Sequence, residues 1–256
     1  MKIIYKLLLA AAPVLFVAAC GGGEDNLDDR LDIADPKVRL VHAGTVSPAF
    51  TLYRNDVAQS NATNISYKGA SQYFPVSTGT ANWRVATAAG NAEVGTLQFD
   101  ATRGDKFTLV AVPDVALTGA EVILISDPYD KELTANNARV RVLHASMNAG
   151  NVDVYLATTG TDINTVGPNF TAVGYKTANP ASGSNSIDFT VGTGAYTLTI
   201  TAAGTKLPVF VAPVTVTNNA DWLLTILPQS ATPNDLKVLV VKSDDGAATQ
   251  EIANTL

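Results

Sequence analysis

Short runs of apolar or alternating residues fill the chain after about residue 37, and Gly, Pro, Asn and Asp separate these runs. Their length, and their richness in Val, Thr and Ile, are typical of β-strands joined by polar turns. After the N-terminal leader, no amphipathic run of helical period reaches the length of about 11 residues that a helix prediction needs. The pattern therefore predicts an all-β protein.

The strand pattern occurs twice. The sequence V-R-L-V-H-A-G at residues 38–44 returns as V-R-V-L-H-A-S at residues 140–146, and the later segments recur in the same order. A repeat of roughly 100 residues indicates two whole domains rather than solenoid units. We expect two tandem antiparallel β-sandwiches, immunoglobulin-like or transthyretin-like, at residues 37–130 and 138–244, followed by a C-terminal tail at residues 245–256.

One turn in the second copy carries a specific signal. Gly192 and Gly194 lie between two segments that alternate between polar and apolar residues, at residues 188–191 and 196–201. Glycine adopts the positive φ angles that tight hairpin turns require. The pattern therefore predicts a β-hairpin here.

Residues 1–19 have the marks of a secretory signal peptide, with a basic start, a short apolar middle and small residues at the end. The apolar run is shorter than the roughly 20 residues of a membrane-spanning helix. The sequence V-A-A-C at residues 17–20 resembles the bacterial lipobox, in which the cysteine is joined to diacylglycerol and acylated after cleavage. The resemblance implies that Cys20, the only cysteine, is lipidated. The alternative is a plain signal peptide with a chance cysteine.

The residues after the cysteine bear on location. Gly21 stands where the inner-membrane retention signal of Gram-negative lipoproteins usually has Asp, which implies the outer membrane and leaves its periplasmic or surface face open. Glycines and like charges in residues 20–36 predict a flexible acidic linker. The rival interpretation, a calcium loop, lacks the spacing of the Asp-x-Asp-x-Asp-Gly ladder.

The overall charge argues against one class of partner. The formal net charge is −6, and no basic cluster is dense enough to follow a phosphate backbone. No nucleic-acid partner is predicted.

The two histidines, His42 and His144, occupy the same place in the two copies. Strand alternation puts each at the end of a core-facing row, so we predict structural histidines that donate to a backbone carbonyl. With one His per copy and no free Cys, no metal is predicted, and neither a catalytic residue nor a cofactor is predicted. The rival is an envelope hydrolase or metal-dependent enzyme that uses His144 with Asp153.

Four residues are candidates for a binding surface. Tyr53 and Tyr155 lie on matching strands and could form an aromatic surface for sugars or peptides, although tyrosines that cover a sheet edge are commoner. Asp153 is expected to pair with Arg141 or with a turn amide. A carbohydrate-binding module is therefore a second alternative.

Several of these motifs resemble a known family. The sequences R-V-L-H-A-S at residues 141–146 and D-V-Y at residues 153–155, with the aromatic Tyr196 after the glycine turn, resemble the bacterial domain-of-unknown-function family DUF4397. The likeness covers residues 37 to about 243, with Trp83 near the aromatic position of the first copy. The family implies a β-sandwich and export, but no established reaction.

These observations together give one functional hypothesis. We expect a non-enzymatic, lipid-anchored protein of the cell envelope that acts in binding, adhesion or scaffolding. Its partners would be the membrane, through the anchor, and a protein or glycan ligand.

Overall fold

A computed structural model of the protein describes residues 34–45, 47–114, 119–128, 136–192, 194–243 and 248–256. Strands from the first half are β1 (Lys37–His42), β2 (Phe50–Arg54), β3 (Val57–Ala58), β4 (Phe74–Pro75), β5 (Gly79–Thr87), β6 (Glu93–Ala101), β7 (Asp105–Pro113) and β8 (Ala120–Pro128). Those from the second half are β9 (Asn137–His144), β10 (Val152–Thr158), β11 (Phe170–Val173), β12 (Ala178–Asn179), β13 (Ile187–Thr190), β14 (Ala195–Ala202), β15 (Pro208–Thr215), β16 (Asp221–Pro228), β17 (Leu236–Lys242) and β18 (Thr249–Ile252). The prediction of an all-β protein is confirmed.

The strands form four sheets, two from each half of the chain. Sheet A has the order β4-β1-β7-β8 and sheet B the order β3-β2-β5-β6; together they make the first sandwich. Sheet C has the order β12-β9-β16-β17-β18, with β13 also paired to β9, and sheet D the order β11-β10-β14-β15; together they make the second sandwich. The only helical turns in the described residues are two short 3-10 turns, at Ser60–Ala62 and Ile163–Thr165.

One pairing in each sandwich departs from the antiparallel pattern. Strand β1 runs parallel to β7, and β9 runs parallel to β16. The two ladders have the same register, because Lys37 faces Lys106 in the first and Arg139 faces Asp221 in the second, at matching positions of the repeat. Sheets A and C are therefore mixed sheets of the same design.

Each sandwich has its own core, and aromatic residues fill the first. Trp83 is fully buried and stacks on Phe99 at a centroid distance of 5.3 Å, and Phe99 stacks on Phe107 at 4.8 Å. By ladder register, Leu198 stands in the second sandwich where Trp83 stands in the first. The second core thus has a smaller side chain at this position.

A third apolar cluster lies between the sandwiches. Val41 and Val110 from sheet A and Leu143, Leu223 and Leu239 from sheet C are buried in it. Sheets A and C therefore pack face to face, and each is covered on both faces. This explains why β1, β7, β9 and β16 are buried almost throughout.

Polar contacts across this interface come in related pairs. Arg39 Nη1 donates to Ser243 Oγ at 3.1 Å, from the first sandwich to the second. Arg141, which matches Arg39, pairs with Asp127, which matches Ser243, with Nη2 and Oδ1 3.2 Å apart. Each contact thus repeats the other with the two sandwiches exchanged.

Lys106 and Asp221 lie at the centre of this arrangement. They occupy matching positions of the two copies and pair with each other, with Nζ 3.6 Å from Oδ2. A contact between equivalent positions is what an isologous interface shows at its two-fold axis. The sandwiches therefore pack as the subunits of a symmetric dimer do, within one chain.

The predicted hairpin at residues 188–201 is wrong. Strand β13 pairs with β9 in sheet C, whereas β14 pairs with β10 and β15 in sheet D. The glycine-containing turn therefore crosses from one sheet to the other. Phe189 and Tyr196, on its two sides, meet edge to face across the core at 5.7 Å.

Part of the predicted C-terminal tail belongs to the second sandwich. Strand β18 pairs antiparallel with β17 at the edge of sheet C. Beyond it, Asn254 accepts a hydrogen bond from the amide of Val211 and donates one to the carbonyl of Val209. Among the described residues, no helix has the length and the apolar character needed to cross a membrane.

Candidate functional site

The two histidines are fully buried, and each bonds to a nearby backbone carbonyl. His42 Nε2 lies 2.9 Å from the oxygen of Pro48, and His144 Nε2 lies 2.9 Å from that of Gly150. Since a carbonyl only accepts, Nε2 carries the proton in both rings. Nδ1 of His144 accepts from the amide of Ser146 at 3.2 Å. Burial lowers the pKa of both imidazoles, which favours the neutral form.

Asp153 does not form the pair that a hydrolase would need. One carboxylate oxygen accepts from the amide of Ala172 at 2.7 Å, and the other accepts from the amide of Gly204 at 2.8 Å. Both ring nitrogens of His144 are engaged with other backbone groups. Of the two partners expected for Asp153, the turn amides are found and Arg141 is not.

The prediction that Arg141 and Asp153 form part of a binding surface is wrong, because they are only 2% and 4% exposed. Arg141 points into the interface between the sandwiches. Besides Asp127, it donates to the carbonyls of Pro180 at 2.6 Å and Ala181 at 2.8 Å. The sequence pattern did not reveal that sheet C is covered on both faces.

The tyrosines do not form an open aromatic surface either. Tyr155 is 1% exposed, and the ammonium of Lys206 lies over its ring at 4.6 Å while donating to the carbonyl of Ile163. Tyr53 is half-buried beneath the guanidinium of Arg84, which lies 4.1 Å from its ring centroid. The surface prediction is therefore wrong for Tyr155, and Tyr53 has one ring face covered.

Two other predictions concern groups that the structure does not place together or does not describe. In the described residues, no three His, Cys, Asp or Glu side chains are grouped so that they could hold a metal ion. The predicted signal peptide, Cys20 and most of the predicted acidic linker lie outside the described residues, as does most of the stretch between the two copies.

A pocket opens between sheets C and D in the second sandwich, with a volume of about 260 Å³. It is lined by Val140, Leu156, Thr158, Asn169, Phe170, Ile187, Phe189, Thr190 and Tyr196. The walls are aliphatic and aromatic, and three polar side chains at the rim are exposed. This combination of an apolar cavity and a few polar groups is typical of small-molecule sites.

The two sandwiches differ at the strand position that forms one wall of the pocket. Leu156 forms one wall and faces Leu198 across the ladder. In the first sandwich, Arg54 faces Trp83 at these positions and lies over the indole, 5.5 Å from its centroid. The indole fills the first core where the second has only a leucine.

The polar rim can orient a ligand. Asn169 accepts a hydrogen bond from the amide of Leu156 through its side-chain oxygen, at 2.7 Å, which fixes its amide group at the mouth. The hydroxyls of Thr158 and Thr190 lie at the same opening. The site holds an apolar body in its walls and offers hydrogen bonds at its entrance.

The pocket was not predicted from the sequence, because the candidate residues were histidines, tyrosines and charged residues, whereas the walls of the pocket are mainly aliphatic and aromatic. A difference between the copies that the sequence contains is the exchange of Trp83 for Leu198, on the strand that pairs with the pocket residue Leu156. This exchange is hard to see in the sequence, because Trp83 aligns by residue type with the aromatic Tyr196. The strand pairing shows that Trp83 is equivalent to Leu198 instead. Arg54 and Leu156 are equivalent in the two copies, so the residues that pair with them, Trp83 and Leu198, are equivalent as well.

Comparison with known proteins finds one family model that matches part of the chain. The family model described as "Domain of unknown function (DUF4397)" matches residues 36–155. This segment contains the first sandwich and continues through β9 into β10. No curated protein matches the chain.

Proposed function

We propose that this chain is a lipid-anchored protein of the cell envelope that binds a small apolar ligand in the pocket between sheets C and D and catalyses no reaction. The pocket is the observation that carries the binding function. Its volume of about 260 Å³ suits a ligand with one ring or a short branched chain. Phe170 and Tyr196 would hold an aromatic ring through edge-to-face contacts.

The proposed location rests on the N-terminal sequence. The V-A-A-C motif at residues 17–20 and the glycine after it support acylation of Cys20 and an outer-membrane position. Several buried acyl methylenes, at about 0.8 kcal/mol each, would make the anchor stable. The repeated strand order supports two tandem domains, and the DUF4397 match at residues 36–155 suggests the family for the first of them.

Titration of the full-length chain with p-cresol, followed by NMR of the tyrosine and phenylalanine ring resonances, tests the binding function. We expect saturable shifts at Tyr196 and Phe170, which line the pocket. Leu156→Trp places an indole in the cavity and should weaken binding by at least about tenfold. Ile187→Trp, on the opposite wall, should do the same.

Arg54→Trp is the matched control. It adds the same side chain at the equivalent position of the first sandwich, outside the pocket, and should leave binding unchanged. The proposal is wrong if neither p-cresol, toluene nor cyclohexanol gives saturable shifts. It is equally wrong if both blocking variants bind p-cresol as the wild-type chain does.

A further inference from the structure

A second cavity, of about 350 Å³, lies in a groove between the two sandwiches. Thr45 and Tyr67 of the first sandwich form one side of it. Lys237 and the segment 228–231 of the second form the other. Its size falls in the range of small-molecule sites, which is roughly 300–1,000 Å³. It is separate from the apolar pocket, which lies wholly within the second sandwich.

Tyr67 lines this groove, and its hydroxyl is buried with no hydrogen-bond partner among the residues that the structure describes. A buried hydroxyl without a partner is unfavourable, so such groups in native proteins usually meet a ligand or water. Burial, with the nearby carboxylate of Glu251, raises the pKa of Tyr67 to about 12. The hydroxyl is therefore a protonated donor at neutral pH.

Two lysines beside Tyr67 share one carboxylate. Lys68 Nζ lies 2.6 Å from Glu251 Oε2, and Lys237 Nζ lies 3.5 Å from the same oxygen. Both ammonium groups are also within 6 Å of the Tyr67 ring centroid, at 5.2 and 5.6 Å. Lys237 is only 8% exposed. Burial lowers the pKa of Lys237, and the carboxylate of Glu251 counteracts this by raising it. With both lysines protonated, the cluster has one positive charge in excess.

The related position at the other end of the interface shows what a closed arrangement looks like. There the hydroxyl of Tyr175, which matches Tyr67, donates to the carbonyl of Pro113. Lys176 pairs with Glu121, with Nζ and Oε1 2.5 Å apart, and the carboxylate of Asp114 is also near Tyr175, so that this end has no positive charge in excess. The hydroxyl is satisfied and the ion pair is complete.

Two differences distinguish the groove from this closed end. By ladder register, Lys237 stands where Glu121 stands in the first sandwich, so a cation replaces an anion. Tyr67 also lacks the bond to Pro228 that Tyr175 makes to the matching Pro113. The charge change and the unpaired donor occur together in the same cavity.

We propose that this groove binds a small organic monocarboxylate. The ammonium of Lys237 pairs with the ligand carboxylate, and the hydroxyl of Tyr67 donates to one of its oxygens. A single excess positive charge matches a monoanion better than a phosphate dianion. Gln229, Ser230 and Thr45 surround the remainder of the ligand.

Isothermal titration of the full-length chain with sodium benzoate at neutral pH and low salt tests this site. We expect saturable one-to-one binding that weakens as salt is added. Lys237→Met should weaken binding at least about tenfold, because charge-assisted hydrogen bonds are the stronger ones. Tyr67→Phe should weaken it several-fold without loss of folding, since the hydroxyl it removes has no protein partner in the described chain.

Tyr175→Phe is the matched control, because it removes the equivalent hydroxyl at the closed end, and benzoate affinity should stay unchanged. Benzyl alcohol, which has the same ring without the charge, should bind at least about tenfold more weakly than benzoate. The site is wrong if benzoate gives no saturable heat, or if Lys237→Met and Tyr67→Phe both bind it like the wild type. Binding of p-cresol in the apolar pocket is independent of both variants, so failure of one site leaves the other testable.

Discussion

His42 and His144 are of a residue type that often takes part in catalysis, but packing and hydrogen bonds give both of them a structural role. His42 stacks on Phe50 with ring centroids 4.1 Å apart, and His144 meets Tyr175 edge to face at 6.5 Å. In each ring, the Nε2–H group donates a hydrogen bond to the carbonyl six residues further along the chain. Such rings join the end of a strand to the loop that follows it.

These histidines make a pH-dependent contribution to stability. Burial lowers their pKa values in the folded state below the ordinary value of 6.5, while the unfolded chain keeps that value. Their contribution is therefore complete above pH 6.5 and is lost as the pH falls from 6.5 through the folded pKa. Urea unfolding between pH 7.5 and 5.5 should show the wild type losing free energy of unfolding relative to a variant with both histidines changed to Gln.

Gln is chosen because its amide can still donate to the carbonyl but does not titrate. The difference between the two proteins isolates the histidines from Asp127, whose pKa burial raises. A constant difference across this pH range would mean that the imidazoles are not held neutral by burial.

The sequence predicted the environment of the histidines but not that of Asp153, Tyr155 or Arg141. In sheet D, Asp153 and Tyr155 are covered by the segments that bring the amides of Ala172 and Gly204 and the side chain of Lys206 to them. Arg141 lies in sheet C and was missed for a different reason. Alternation along a strand assigns polar residues to a solvent face, and this inference fails when both faces are covered. The long apolar runs of β7 and β16 carried the relevant signal, because strands buried on both faces read as continuous hydrophobic segments. Arg39 in sheet A and Arg141 in sheet C are buried cations among these apolar residues, and each needs specific polar partners.

At the level of elements, the two arginines offer a matched comparison. Arg141 pairs with the Asp127 carboxylate and donates to backbone carbonyls, whereas Arg39 bonds to the hydroxyls of Ser243 and Thr108. Arg141→Met leaves a buried carboxylate without its cation, which costs about 3–5 kcal/mol. Arg39→Met leaves only hydroxyls, so we expect a smaller loss of about 1–3 kcal/mol.

The free energy of unfolding from urea titration at pH 7 measures both effects. The Arg39 variant is the control, because it removes an arginine from this interface without leaving a carboxylate unpaired. Equal losses in the two variants would mean that the ion pair with Asp127 adds nothing beyond ordinary hydrogen bonding.

Connections between strands were harder to predict than the strands themselves. The glycines at 192 and 194 gave a correct turn but a wrong partner, because a short turn can join two sheets as well as two neighbouring strands. The parallel pairing of β1 with β7 was also not predicted, since no local pattern reports a ladder between segments about 70 residues apart. The C-terminal strand β18 was missed because it is short, polar and lies at a sheet edge.

At the scale of the whole molecule, the two copies of the repeat pack together like the subunits of a dimer and are not independent domains. Sheets A and C share an apolar interface with buried ion pairs, so the two sandwiches form one unit. Departures from the internal symmetry then mark the candidate sites. Leu156, which stands where the first sandwich has Arg54, lines the apolar pocket, and Lys237, which stands where the first sandwich has Glu121, lines the groove.

The central claim is that this two-sandwich unit is held at a bacterial membrane by one acylated residue. Mass spectrometry of the N-terminal peptide tests it most directly, using the chain produced in a Gram-negative bacterium and extracted from outer membranes. The account predicts a peptide that begins at Cys20 and carries a thioether-linked diacylglycerol and an N-acyl group, and a Cys20→Ala variant that is missing from the membrane fraction. A chain that keeps residues 1–19, or one that begins at an unmodified Cys20, would contradict it.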